Sequence, residues 1–229
     1  MNVLTVIPAR GGSKRIPRKN LIRLAEMPLI GYSIGHAKRS KMVNRIVVST
    51  DDEEIAYTSR LYGAEVIKRP KELSSDTASS ESALIHVLDY LEEREKYSPD
   101  LIVFLQCTSP LRNENDIDDA INTLIKLNAD SLFSARRFKK YIWQLKEGIV
   151  SPINYDYNYR WREQDFPYQV EENGSIYIIK PPILKIYNNR LGGKIAIYEM
   201  EEFCSIQIDT YEDILLTECI LNKVKKYRI

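Results

Sequence analysis

Two kinds of apolar pattern alternate along this chain. Short aliphatic runs, Val3-Leu4-Thr5-Val6-Ile7, Ile46-Val47-Val48-Ser49-Thr50 and Leu101-Ile102-Val103-Phe104-Leu105, show little polar interruption, the mark of strands buried on both faces. Glu65-Val66-Ile67 predicts a shorter strand and Ser131 to Ala135 another. Between the runs the apolar positions recur at helical spacing. One helix is expected around Leu29 to Ser40, and a second after Asp51-Asp52, which can cap it. A third starts near Ser80 with Leu84, Val87, Leu88 and Leu91 on one face, and a fourth carries Ile117, Ala120, Ile121, Leu124 and Ile125. This β-α-β-α alternation predicts an α/β fold of three layers around a mostly parallel sheet with right-handed crossovers.

After Arg136 the texture changes. Tyr141, Trp143, Tyr155, Tyr157, Tyr159, Trp161, Phe166 and Tyr168 crowd a segment with few aliphatics, and Tyr155 to Trp161 alternate with polar residues as in an antiparallel strand. The core pattern then resumes with strands expected at Ser175 to Ile179, at Lys194 to Tyr198 after a Pro181-Pro182 break, and at Ser205 to Asp209, and with a last helix from near Thr210 with Ile214, Thr217, Leu221 and Val224. The chain therefore divides into a core at 1–136, an extended arm at 137–170 and a core completion at 171–229.

Composition changes this picture little. The 229 residues suffice for a substantial core. With 33 basic and 32 acidic residues the net charge of +1 gives no general pull toward nucleic acid or a membrane surface. The aromatic arm lacks a basic groove for stacking bases, since Asp156, Glu163 and Asp165 lie in it and Glu171 and Glu172 follow it directly. Pairing with a second subunit is the expectation there, because aromatic residues are favoured at interfaces. No signal peptide and no membrane span are read. Cys107, Cys204 and Cys219 are odd in number and form no metal motif, so a cytoplasmic location is expected.

In an open α/β sheet ligands sit beyond the carboxyl ends of the strands. The loops so placed are Arg10 to Asn20, Thr50-Asp51, Arg69 to Ser80 and Gln106 to Arg112. The first is distinctive: from Arg10 to Arg23 there are six cationic side chains and no acid. Gly11-Gly12 can turn backbone N–H groups toward an anion, and Arg and Lys point to a polyanion, most simply a nucleoside triphosphate. Neither common phosphate-loop motif is present. An exposed basic loop is the alternative reading.

The run Val6-Ile7-Pro8-Ala9-Arg10-Gly11-Gly12-Ser13-Lys14 with Pro17, Lys19 and Asn20 resembles the signature of the CMP-sialic acid synthetases, the N-acylneuraminate cytidylyltransferases. The resemblance continues at Ile46 to Asp51, Arg69-Pro70, Leu73 with Ser75 to Ser80, Leu105-Gln106 with Thr108 to Arg112, Arg162, Gln164-Asp165, Pro167, Asn173-Gly174, Tyr177-Ile178 and Ser205-Ile206 with Ile208 to Thr210. It implies a nucleotide-diphospho-sugar-transferase-like fold and a homodimer whose arm reaches the neighbour's active site. It also implies Mg²⁺-dependent transfer of CMP from CTP to a nonulosonic acid, supplying an activated sugar for surface glycans. On this reading Arg10, Lys14 and Lys19 meet the phosphates, with Ala9, Gly11, Gly12, Ser13 and Asn20 completing the loop. Arg69, Ala78 and Ser80 hold the cytidine. Gln106, Arg162 (Arg160 more weakly), Gln164 and Asn173 face the sugar, and Asp209, with Gln207 as a weak second ligand, takes the metal. The residues also allow plainer roles: Arg69 in a surface ion pair, Ser79 or Ser80 as a helix cap, Asp209 or Thr210 capping the last helix. His36 and His86 fit packing within helices, and Cys107 has no catalytic partner.

The chain departs from the family where Asp-x-Asp becomes Gln207-Ile208-Asp209, where paired Arg becomes Arg162-Glu163, and where an arginine before Asn-Gly becomes Glu171. These changes bear on which sugar is used: N-acetylneuraminate, legionaminate, pseudaminate or the deaminated sugar. The alternatives are a CMP-Kdo synthetase and a non-catalytic nucleotide-binding homologue.

Overall fold

The computed structural model describes residues 1–224. A seven-stranded sheet organises the chain. In spatial order it runs β11 (Ile195–Glu199), β7 (Ser131–Arg137), β10 (Val170–Ile179), β6 (Leu101–Leu105), β1 (Val3–Pro8), β4 (Arg45–Thr50) and β5 (Glu65–Lys68). Every pairing is parallel except those of β10, which runs antiparallel between β6 and β7. A short ribbon, β2 (Arg23–Leu24) with β3 (Met27–Pro28), leads into the first helix.

Alternate residues of each central strand feed two separate cores, which is why the strands read as unbroken apolar runs. Val3, Ile7, Val103, Leu105, Ile176 and Ile178 face one side. There they meet α1 (Leu29–Arg39), α2 (Glu53–Leu61), α4 (Asp116–Lys126) and α6 (Tyr211–Lys223) through Ile30, Ile34, Ile55, Ile117, Ile121 and Ile220. Leu4, Val6, Ile102, Phe104, Tyr177 and Ile179 face the other side, under Leu84, Val87, Leu88 and Leu91 of α3 (Ser80–Glu95) and Leu184 of α5 (Pro181–Tyr187). The three-layer, mostly parallel fold expected from the pattern is the fold observed, with the boundaries of α1 to α4 and the start of α6 within a residue or two of the periodicity; α5 begins on the Pro181-Pro182 pair that read only as a break, because proline is accepted in a helix's first turn. Because β10 is an inner strand, the first 136 residues do not close a sheet by themselves.

Two expectations are corrected. The alternating aromatics 155–161 form no strand. The antiparallel pair of the arm is instead β8 (Trp143–Lys146) with β9 (Ile149–Pro152), joined at Glu147-Gly148, both of positive φ (52° and 79°), as a tight hairpin turn requires. The aromatics pack on one another instead: Tyr141 stands 4.4 Å from Tyr155 and 5.2 Å from Phe166, and Trp161 5.4 Å from Phe166, ring centre to ring centre. Their spacing records a local cluster, not a pleat. Likewise Ser205 to Asp209 is not a strand. It follows a 3-10 turn at Glu202–Ser205 and is held by Ile208 N–H donating to the Thr108 carbonyl at 2.8 Å.

Candidate active site

At the carboxyl ends of β1 and β4 the chain leaves a cleft of about 490 Å³. Its lining includes five cations, Arg10, Lys14, Arg15, Lys19 and Arg69, against two carboxylates, Asp76 and Asp209. Ser13, Asn20, Ala78, Ser79 and Ser80 complete most of the wall. The 16-residue helix α3 starts here, with the Ser79 hydroxyl accepting from Ser82 N–H at 3.1 Å, so its positive end adds to the field of the basic loop.

The loop is built from within. Ala9 N–H continues the ladder to the Ser49 carbonyl (2.9 Å), and Asn20 Nδ2 donates to the Arg10 carbonyl (3.0 Å), fixing where the Arg10 side chain departs. A Cβ on Gly11 would lie 2.7 Å from Asp52 Oδ2, so only glycine lets the loop pass the N-terminus of α2, which Asp52 caps. The backbone N–H groups are less available than the sequence suggests: Gly11 donates to Asp51 Oδ1 (3.0 Å) and Ser13 to the Gly11 carbonyl (3.1 Å). Charge on side chains, more than a nest of amides, makes this an anion site.

Arg69 is 6% exposed and has no acidic partner within salt-bridge distance among the described residues. Its Nε and Nη2 donate to Ser49, at 3.0 Å to the hydroxyl and 2.6 Å to the carbonyl, and burial lowers its pKa. The surface ion pair is thereby excluded. Arg69 is a cation set into the cleft wall by Ser49 of β4.

Asp209 is not a helix cap. Thr210 caps α6 in a full capping box with Asp213, whose Oδ2 also accepts from Asp209 N–H at 2.9 Å. The Asp209 carboxylate is left facing the cleft, with Lys19 Nζ at 3.0 Å and Arg15 Nη1 at 4.0 Å. Asp76, a residue that no local pattern singled out, lies across from it with Arg10 at 2.9 Å and Lys14 at 2.6 Å. Among the described residues no group of three His, Cys, Asp or Glu forms a self-sufficient metal site. One cleft carboxylate suits a hard cation that takes its remaining ligands from water and phosphate oxygens.

The residues expected at the sugar divide. Gln106 and Asn173 meet Gln207, expected instead as a weak metal ligand, at a bulge of β10, where pairing shifts register between Glu172 and Tyr177. Gly174 sits there at φ +65°, and a Cβ on it would collide with Gln207 Nε2 and lie 2.8 Å from Gln106 Oε1. Gln207 Nε2 donates to the Asn173 carbonyl at 2.5 Å and does not line the cleft that holds Asp209. The Asn173 side chain is spent inside the fold: Oδ1 accepts from Ser134 Oγ and Ser175 N–H, and Nδ2 donates to Ser205 Oγ. Arg162 and Gln164 lie on an exposed 3-10 turn of the arm, Arg162 bonded to Asp165 at 2.6 Å, and neither lines the cleft. Arg160 stacks on Tyr141, 4.4 Å from the ring centre, and Glu171 pairs with Arg136 at 2.7 Å.

Beneath the bulge lies Arg112, 1% exposed, donating to Ser33 Oγ (3.2 Å) and to the carbonyls of Gln106 (3.0 Å) and Ser175 (2.9 Å). Burial lowers its pKa to about 10. This cationic staple joins α1, β6 and β10, and its sequence context showed only a loop arginine. His36 and Cys107 are inert: burial lowers the imidazole to about 3, with Nε2 3.0 Å from the Pro110 carbonyl, and raises the thiol to about 12.

Fold and cleft define a class: a three-layer α/β protein whose strand-exit loops enclose a cationic cleft of about 490 Å³. Two solved structures share its fold. A CMP:2-keto-3-deoxy-manno-octonic acid synthetase complexed with CTP superposes with a TM-score of 0.74 at 18% identity, over 97% of this chain and 99% of that one. A 4-diphosphocytidyl-2C-methyl-D-erythritol synthase from Anaerococcus prevotii gives 0.68 at 14% identity, with the same coverage. Residues 4–227 match the cytidylyltransferase family model, and the chain belongs to that family. It is 37% identical over 214 residues to N-acylneuraminate cytidylyltransferase A of Danio rerio, covering 91% of this chain and 48% of that protein. It is 33% identical over 227 residues to post-translational flagellin modification protein B of Campylobacter coli (96% and 95% covered). To a pseudaminic acid cytidylyltransferase of Campylobacter jejuni it is 38% identical over 181 residues (77% and 78%). The chain thus spans about half the length of the fish proteins it matches.

Proposed function

We propose that this chain is a CTP-dependent cytidylyltransferase that activates a nonulosonic acid to its CMP-sugar and releases pyrophosphate. The observation that carries the reading is the cleft: Arg10, Lys14, Lys19 and Arg69 converge with Asp209 at the strand ends of a chain in the cytidylyltransferase family. Relatives that act on N-acylneuraminate and pseudaminic acid support a nine-carbon sugar acid as acceptor.

The sugar's anomeric oxygen attacks the α-phosphorus of CTP, the bond to the bridging oxygen of the β-phosphate breaks, and the hydroxyl proton passes to water. Such a transfer needs positioning and charge neutralisation more than covalent chemistry. Arg10, Lys14 and Lys19 neutralise the phosphate tail, and Arg69, Ala78 and Ser80 border the place of the cytidine. Asp209 would hold Mg²⁺, which when bound neutralises charge on the leaving pyrophosphate. Gln106, beside Gln207 at the β10 bulge, is the residue assigned to the sugar.

The arm supports a homodimer. The β8–β9 hairpin exposes Leu145 (71%), Ile149 (71%) and Val150 (61%), and a lone two-stranded hairpin is marginal in water. A second copy of the chain is the partner proposed. Among the described residues no helix is long and apolar enough to cross a membrane. The odd number and wide spacing of Cys107, Cys204 and Cys219 support a cytoplasmic setting.

A pyrophosphate-release assay with CTP, Mg²⁺ and a panel of sugar acids tests the reading. Turnover with one nine-carbon acid is expected. Turnover with Kdo alone would make it a CMP-Kdo synthetase, and CTP binding without turnover on any acid would make it a non-catalytic homologue.

A further inference from the structure

The two cations that the phosphate tail would use first are already bridged by an acid of the chain itself. Asp76 Oδ1 accepts from Arg10 Nη1 at 2.9 Å, and its other oxygen lies 2.6 Å from Lys14 Nζ. The same Arg10 nitrogen also donates to the Ser75 carbonyl at 3.0 Å. One carboxylate thus gives one oxygen to each cation, much as a phosphate group would. Of the other three cations, Lys19 is anchored to the Ile208 carbonyl and Asp209 and Arg69 to Ser49, while the exposed Arg15 reaches only to 4.0 Å from Asp209. Asp76 lines the cleft and its side chain is half exposed, so it is free to turn out to water when displaced.

We propose that Asp76 sets the affinity and selectivity of the site as a built-in rival of the nucleotide's phosphates for Arg10 and Lys14. This rests on the cytidylyltransferase reading above. A polyphosphate carries enough anionic oxygens to take both cations from a single carboxylate, whereas a monophosphate, with fewer oxygens and less charge, has a smaller advantage over it. When pyrophosphate leaves, the carboxylate recaptures both cations and keeps the product from being held. The hydrogen bond from Lys14 and the charge of Arg10 keep the Asp76 pKa below the usual carboxylate range, so the rival is ionised wherever the enzyme works.

The test is calorimetric titration of inorganic pyrophosphate and of CTP into the wild-type chain, Asp76→Asn, Asp76→Ala and Arg10→Ala, with folding checked by circular dichroism. Removing a pair of partly exposed ion pairs is expected to tighten pyrophosphate about three- to tenfold in both Asp76 variants. Damage to the loop cannot produce tightening. Unchanged or weaker pyrophosphate binding in both variants would overturn the proposal and leave Asp76 as a brace for the loop. The Arg10→Ala arm separates the two levels: if it weakens CTP while the Asp76 variants do not tighten pyrophosphate, the site stands and the rival role falls. If wild type and Arg10→Ala bind CTP equally, the assignment of the cleft fails and takes the proposal with it.

Discussion

Lys19 Nζ lies 3.0 Å from Asp209 Oδ1 and 2.9 Å from the Ile208 carbonyl, closing a contact across 190 residues of sequence. This pair joins the basic loop at one end of the chain to the acidic loop at the other, and so defines one side of the cleft. A carboxylate held by a cation loses that partner's attention once phosphates arrive, and is then available to a hard metal ion.

Asp209 and its neighbour Thr210 should separate chemistry from stability. Asp209→Asn is expected to lose Mg²⁺-dependent turnover while melting close to wild type, because the capping box belongs to Thr210 and Asp213. Thr210→Ala should do the reverse, costing about 1 kcal/mol of stability with turnover kept. Thermal melts and Mg²⁺ titrations of activity, run on both variants, check the pairing.

Arg10→Ala is expected to lower kcat/KM for CTP by at least about tenfold, the scale of losing one charge-assisted contact to a phosphate. The fold should persist, since the side chain bonds only to the loop at Ser75 and Asp76. Steady-state kinetics at fixed sugar, with a circular dichroism control, decide it; unchanged kcat/KM would remove Arg10 from the site.

Gly174→Ala is expected to cost roughly 1–3 kcal/mol, because the residue sits at φ +65° and its Cβ would strike the Gln207 amide. Gln207→Ala, which adds no strain, should raise KM for the sugar acid while leaving the Mg²⁺ concentration for half-activation unchanged. A shift in Mg²⁺ dependence instead would restore Gln207 as a metal ligand.

His36 should make stability fall on the acid side of neutrality. Burial holds its folded pKa at about 3, against roughly 6.5 for an unfolded histidine, so between these values the unfolded chain binds a proton that the folded chain refuses. Stability is therefore full above about pH 6.5 and declines by up to about 1.4 kcal/mol per unit below it. His86, whose pKa is also lowered by desolvation, adds in the same direction. Melting wild type and His36→Asn at pH 7 and pH 5 should show a smaller pH difference in the variant.

The elements around this site were legible because their signals are local. The strand runs, the α3 start at Ser79-Ser80 and the cationic loop after Pro8 each carry their pattern within a few residues, and the sheet topology then places every strand-exit loop at one edge. Gln106, Arg69 and Asp209 could be nominated from the family resemblance, but not their surroundings.

The sequence by itself determined the strands β1, β4, β5, β6 and β7, the helices that alternate with them, and the local cluster of positive charge after the first strand, since periodicity and charge are read along the chain. Only the tertiary structure decided that β10 enters antiparallel between β6 and β7, that Asp76 bridges Arg10 and Lys14, that Thr210 and not Asp209 caps α6, and that the arm's aromatics cluster without forming a strand. Direction, register and pairing depend on which distant surfaces bury each other, and a residue carries no mark of a partner 66 or 190 positions away.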